Sequence, residues 1–156
     1  MTGSTARRTA IAALASLLGG CAIAPSKQPY VAVTQMAEAV GVRPSLAIYV
    51  MRRESGGRLD ARNPRSSATG AMQVIDGTAA NIAGRPVSRA ERKTQLGIAL
   101  GVAYLKTCQM ALPGVSDAAT WTRCYVTGHG NVGGNITHAR TAFAELKQKF
   151  GTSWPM

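Results

Sequence analysis

Glu54 is the residue that first suggests chemistry. Leu46, Ala47, Val50 and Met51 recur at helical spacing, and Glu54 falls three and four residues beyond the last two. The spacing therefore puts an acid on the apolar side of a helix. Arg52 and Arg53 project round to other faces, and Gly56-Gly57 stops the helix, so Glu54 lies in its final turn, near the negative end of the helix dipole. Partial burial and that dipole both disfavour the ionised carboxylate and should lift its pKa toward the working pH. A carboxylic acid tuned in this way can donate a proton to a glycosidic oxygen. The alternative is structural: a buried ion-pair partner for Arg58 or Arg52.

Three further residues have a chemical and a structural reading. Gln73 ends a polar stretch, and the alternative for it is satisfying backbone groups of the loop. Tyr125 lies near the end of a later helix, and its alternative is a core aromatic with a bonded hydroxyl. Asp60 follows Glu54 in the loop. At a separation of roughly 5 to 9.5 Å the two would make a two-carboxylate hydrolase. The remaining acids, Glu38, Asp76, Glu91, Asp117 and Glu145, read as caps or exposed faces.

The elements that must hold these groups are helical. A first helix spans Val31 to Val40, with Gly41 as its stop, and Pro44 opens the helix that carries Glu54, in the first-turn position where a missing N–H is harmless. From Gly57 to Thr69 the chain is rich in Arg, Asn, Pro and Ser, so it reads as a loop with at most a small hairpin. Asp76 or Thr78 can cap a short helix through Ile82, and Ser88 with Glu91 forms a capping box announcing the next helix. Leu96 to Leu105 is apolar on nearly all sides and belongs at the centre of the core, with Gly97 and Gly101 leaving room for another helix to approach. Ser116 can cap a helix across Trp121–Val126, and Asn135 one with Ile136, Ala139, Phe143 and Leu146 inward. Trp121 and Trp154 read as packing. The prediction is a mainly α single domain over 30–151, of about six helices, followed by a tail at 152–156.

Arg7-Arg8 followed by the apolar run Thr9–Leu18 reads as a signal peptide over 1–20, too short to span a bilayer, which takes roughly 20 apolar residues. Leu18-Gly19-Gly20-Cys21 resembles a lipobox, in which Cys21 would be lipidated and 21–29 would form a tether. An ordinary signal peptide is the alternative. Ala22 after the cysteine fits the outer membrane better than the inner, so the expected location is periplasmic and lipid-anchored. Export leaves Cys108 and Cys124 as an even pair in an oxidising compartment, which suggests a disulfide; two buried thiols are the alternative. His129 and His138 belong to no metal-spaced cluster, so neither metal nor cofactor is expected.

The net charge is +11, and without Arg7 and Arg8 it is still +9, with 16 basic against 7 acidic residues. Such a surface seeks polyanions. The basic residues are scattered and only 5% of residues are aromatic, which argues against nucleic acid and leaves cell-wall glycan with free peptide carboxylates or anionic lipid.

Taken in order, Glu54-Ser55, Ser67-Ala68-Thr69-Gly70-Ala71-Met72-Gln73, Gly101 to Leu105 and Tyr125 to Gly128 resemble the motifs of the soluble lytic transglycosylase family, over roughly Val31 to Gly134. The resemblance implies an α+β lysozyme-like fold and a peptidoglycan substrate. Glu54 would be the single catalytic acid/base, yielding 1,6-anhydro-muramic ends without consuming water. It also implies that Ser55, Gln73 and Tyr125 act on the acid or the substrate, with Met72 packing the cleft floor. Small exported members resemble accessory enzymes of conjugation and secretion machines, by analogy alone. Two departures stand out. The usual Ala-Tyr-Asn-x-Gly is here Cys124-Tyr125-Val126-Thr127-Gly128, so hydrogen bonds of the lost asparagine must be missing or come from Asn131. The usual Gly-Leu-Met-Gln has Ala71 for leucine. A catalytically idle glycan-binding or assembly protein and a hydrolytic muramidase are the competing functions.

Overall fold

The computed structural model describes residues 29–151. The expected signal peptide, Cys21, nearly all of the tether and the tail with Trp154 lie outside the described residues. Seven α-helices are found within them: α1 Pro29–Ala39, α2 Pro44–Ser55, α3 Asp76–Ala83, α4 Arg89–Arg92, α5 Gln95–Ala111, α6 Ala118–Thr127 and α7 Thr137–Phe150. A 3-10 turn, His129–Val132, joins α6 to α7. Among the described residues, strand structure is limited to two isolated antiparallel bridges, Arg62 to Thr69 and Thr69 to Val74, within the expected limit of at most a small hairpin.

The all-apolar helix is indeed the hub. In α5, Leu96, Ile98, Leu100, Val102 and Leu105 are at most 3% exposed. The helix packs most extensively on α7, then on α1 and α6. Two internal glycines cost it about 1 kcal/mol each in helix propensity, whereas each large side chain buried contributes roughly 1.5–3 kcal/mol. Burial decides the outcome. Helix α7 answers with Ala139, Ala142, Phe143, Leu146 and Phe150, and turns Lys147 and Lys149 to solvent.

Several expected boundaries are corrected. Pro29 is the first residue of α1, not the last of a tether. Asp76 begins α3 without capping it, because its carboxylate is drawn to Arg92. The capping box is present, with Glu91 N–H donating to Ser88 Oγ and Ser88 N–H to Glu91 Oε2, but it starts the separate single turn α4. Thr94 then caps α5 through Leu96 N–H. Asp117, adjacent to Ser116, caps α6 by accepting from the Ala119 and Thr120 amides. At α7, Asn135 Oδ1 accepts from Thr137 N–H at 2.9 Å.

The two helix glycines allow the close approach expected of them, by a short helix at one and by a loop and a tyrosine of α6 at the other. A Cβ on Gly97 would lie 1.9 Å from the Arg92 carbonyl oxygen, and one on Gly101 would lie 2.3 Å from Met72 Cβ. At Gly101 the Tyr125 hydroxyl of α6 would also come within 2.9 Å of a Cβ. Gly97 lets the chain fold back from α4, and Gly101 lets the loop after α2 rest on the hub. Arg92 pins that loop from below: 1% exposed, it pairs with Asp76 and donates from Nη1 to the Val74 carbonyl at 3.0 Å. Only Arg92 is buried in this pair, so removing Asp76 would leave a buried cation short of its counter-charge.

Candidate active site

Helix α2 carries Glu54 on the same side as its buried apolar residues, at the end where that side runs out into the cleft. Leu46, Ala47, Val50 and Met51 are buried, Pro44 starts the helix, and Gly56 ends it in the left-handed conformation with its N–H on the Arg52 carbonyl. Glu54 is half-buried in the last turn, while Arg52 and Arg53 are exposed. Burial raises the Glu54 pKa above the usual carboxylate value, and the charge of Arg53 opposes it. Loss of water is the main cause. Neither salt bridge among the described residues involves Glu54, and Arg58 instead donates from Nε to the Ser55 carbonyl.

The loop after α2 is locked onto this helix end. Ser55 is buried; its hydroxyl donates to the Ala71 carbonyl at 2.7 Å and accepts from Gly57 N–H at 3.1 Å. Its side chain is not among those that line the cleft, and it lies next to Glu54 in sequence. Gly70 has φ +85°, and a Cβ there would strike the Arg92 carbonyl oxygen at 2.0 Å. Gln73 also has positive φ, 49°, and its Nε2 donates to the carbonyls of Gly70 (2.8 Å) and Ala61 (3.3 Å). Gln73 thus satisfies loop backbone and lines the cleft at once. Met72 is fully buried against Gly101, under the floor and out of reach of a ligand.

Tyr125 closes the site from α6. Its hydroxyl donates to the Met72 carbonyl at 2.7 Å, and its ring meets Tyr104 edge-on at 5.3 Å. Burial holds its pKa well above the ordinary phenol value, with the nearby Glu54 charge adding to the effect, so the hydroxyl stays a donor. The preceding residue, Cys124, is disulfide-bonded to Cys108 of α5, with an S–S distance of 2.08 Å. That bond ties the wall carrying Tyr125 to the hub.

Together these elements enclose a cleft of about 340 Å³. Glu54, Gln73 and Tyr125 all line it, and Glu54 is the one carboxylate that does so among the described residues. Asp60 is exposed and is not among the residues that line the cleft. Val126, where the related motif has asparagine, is 65% exposed on the rim. The Asn131 side chain, the expected substitute, lies outside the described residues.

Sequence reasoning missed Tyr104. It lines the cleft from α5, its hydroxyl accepts from His129 N–H at 3.0 Å and lies 3.2 Å from His129 Nδ1, and burial raises its pKa. The available signal was a hydroxyl-bearing aromatic in a helix otherwise apolar on every side. Asn63, Ser66 and Thr78, polar loop and α3 residues without periodicity, complete the opposite wall.

A half-buried acid with an elevated pKa, facing an open cleft, can donate a proton to a leaving oxygen and recover one afterwards. A family model described as the transglycosylase SLT domain matches residues 32–154. Comparison with curated proteins and with solved structures gives no match.

Proposed function

This chain belongs to the transglycosylase SLT domain family, and we propose that it is a peptidoglycan lytic transglycosylase with Glu54 as its sole acid and base. The protonated Glu54 gives its proton to the oxygen bridging N-acetylmuramic acid and N-acetylglucosamine, and the bond from that oxygen to the muramic anomeric carbon breaks. The muramic C6 hydroxyl then bonds to the anomeric carbon and passes its proton to the Glu54 carboxylate. Glu54 ends as it began, a 1,6-anhydro ring caps one fragment, and no water, metal or cofactor takes part. The observation that carries this reading is the isolation of Glu54. Hydrolysis in the usual manner needs a second carboxylate flanking the bond, and none lines the cleft among the described residues.

The decisive experiment is digestion of purified sacculi by the mature protein and by Glu54→Gln, with products read by mass spectrometry. Anhydro-ended muropeptides from the wild type alone are the expected result. Reducing ends would establish a muramidase instead. Exposed Val126 on the cleft rim favours a second reading, a glycan-binding or assembly protein without activity, and absence of release by the wild type would establish that one.

The same proposal includes export and lipidation at Cys21, a periplasmic place on the outer membrane, and local wall opening for an envelope-spanning secretion or conjugation apparatus. Its support is the sequence of residues 1–21 and the basic surface. Cys21→Ser should move the protein from the membrane fraction to the soluble fraction.

A further inference from the structure

Beyond the wall formed by Val126 and Thr127 lies a second hollow, of about 270 Å³. Tyr49 and Arg53 of α2 line it from one side, and Thr122 and Arg123 of α6 from the other. Val126 and Thr127 line both hollows, so the second adjoins the cleft that holds Glu54. Arg53 and Arg123 are exposed, and neither takes part in a salt bridge among the described residues. Two apolar surfaces also stand in water here, Tyr49 at 41% and Val126 at 65% exposure. The hollow is therefore a pair of guanidinium groups flanked by apolar contact area, one residue along the helix from the catalytic acid.

We propose that this hollow is a subsite for a carboxylate of the peptide branch carried by the glycan, seated beside the bond to be cleaved; the inference rests on the peptidoglycan reading of the cleft. The sugar backbone gives two guanidinium groups no anion to hold, whereas the branches bear free carboxylates. Guanidinium forks match carboxylate geometry, and Tyr49 and Val126 offer contact to the small apolar side chains between those carboxylates. The placement of Arg53 gives a seated branch a second effect. Arg53, the residue before Glu54 on its own helix, acts on it through charge, Tyr125 and Tyr104 line the cleft with it, and of these Arg53 is the one cation. A carboxylate bound to Arg53 offsets the charge that favours ionised Glu54, leaving the acid more fully protonated when a branched substrate is in place.

The test compares three soluble glycan fragments of equal length: one with free-carboxylate branches, one with the same branches amidated, and one stripped of peptide. Affinity is measured by calorimetry and turnover by anhydro-product release. The wild type should bind the free-carboxylate fragment on the order of fivefold more tightly than either other, the scale of one exposed ion pair. In Arg123→Gln, and separately in Arg53→Gln, that ratio should fall toward one, and Arg123→Lys should recover part of it. Equal affinity of the wild type for all three fragments overturns the subsite, as does a preference that survives both glutamine variants. Failure to release anhydro products from any fragment would overturn the transglycosylase reading alone, because the affinity ratios still decide the subsite.

Discussion

The Tyr125 hydroxyl is bonded to the Met72 carbonyl oxygen at 2.7 Å across 53 residues of sequence. This contact joins the loop that follows the acid to the helix that faces it, so the two walls of the cleft share one buried hydrogen bond. Tyr125→Phe leaves that carbonyl unpaired and should cost about 1–3 kcal/mol of stability in a denaturant titration. The loosened wall should also lower kcat by roughly tenfold to a hundredfold, measured at a temperature where the variant is fully folded.

Glu54→Gln should separate catalysis from stability. The rate of anhydro-product release should fall by about 10²–10⁴-fold, the usual contribution of a general acid/base. Burial raises the folded-state pKa of Glu54. Its stabilising effect is therefore complete below the unfolded-state pKa and is lost as pH rises through the folded-state pKa. The glutamine variant should have a higher Tm than the wild type near pH 7 and the same Tm near pH 4. A constant offset at both pH values would contradict the assignment of burial as the cause.

Arg53 is the group whose charge keeps the Glu54 pKa from rising further. In Arg53→Gln the alkaline limb of the pH profile of kcat/KM should move to higher pH, and Arg53→Lys should restore it. Peptide-stripped glycan is the substrate for this measurement, so that only the acid is reported.

Gly101 sets the depth of the floor. A Cβ there would approach Met72 Cβ to 2.3 Å and the Tyr125 hydroxyl to 2.9 Å. Gly101→Ala should destabilise by about 1–3 kcal/mol or more through overpacking. Combined with Met72→Ala it should cost less than the sum of the two single changes, the mark of residues that share one space.

The acid itself was legible in sequence because helix periodicity, the Gly56 stop and the flanking arginines all specify where one side chain points. The hub helix was legible from its unbroken apolar run, and the capping box from a fixed spacing. Side chains that serve through a single long-range contact were not. Periodicity counts Tyr104 as one more buried aromatic and says nothing of its hydroxyl beside His129. Arg92 reads as a surface cation, since composition cannot reveal that Asp76 and the Val74 carbonyl wait for it in the interior. Ser116 and Asp117 are equivalent as caps until the backbone chooses between them. Ser55 and Met72 were located correctly relative to Glu54 and Gln73, yet their side chains turn inward, which only the packing of the loop on α5 determines.

The Cys108–Cys124 bond closes a loop spanning 16 positions, and that loop contains the exposed turn residues Pro113, Gly114, Ser116 and Asp117. A protease cutting in this turn would sever the backbone without releasing either piece. On a non-reducing gel the nicked protein would run as one species and on a reducing gel as two, with the halves still packed through α5 and α6. The exposed turn between the helices that carry Tyr104 and Tyr125 can thus be cut once and the molecule remains a single covalent body.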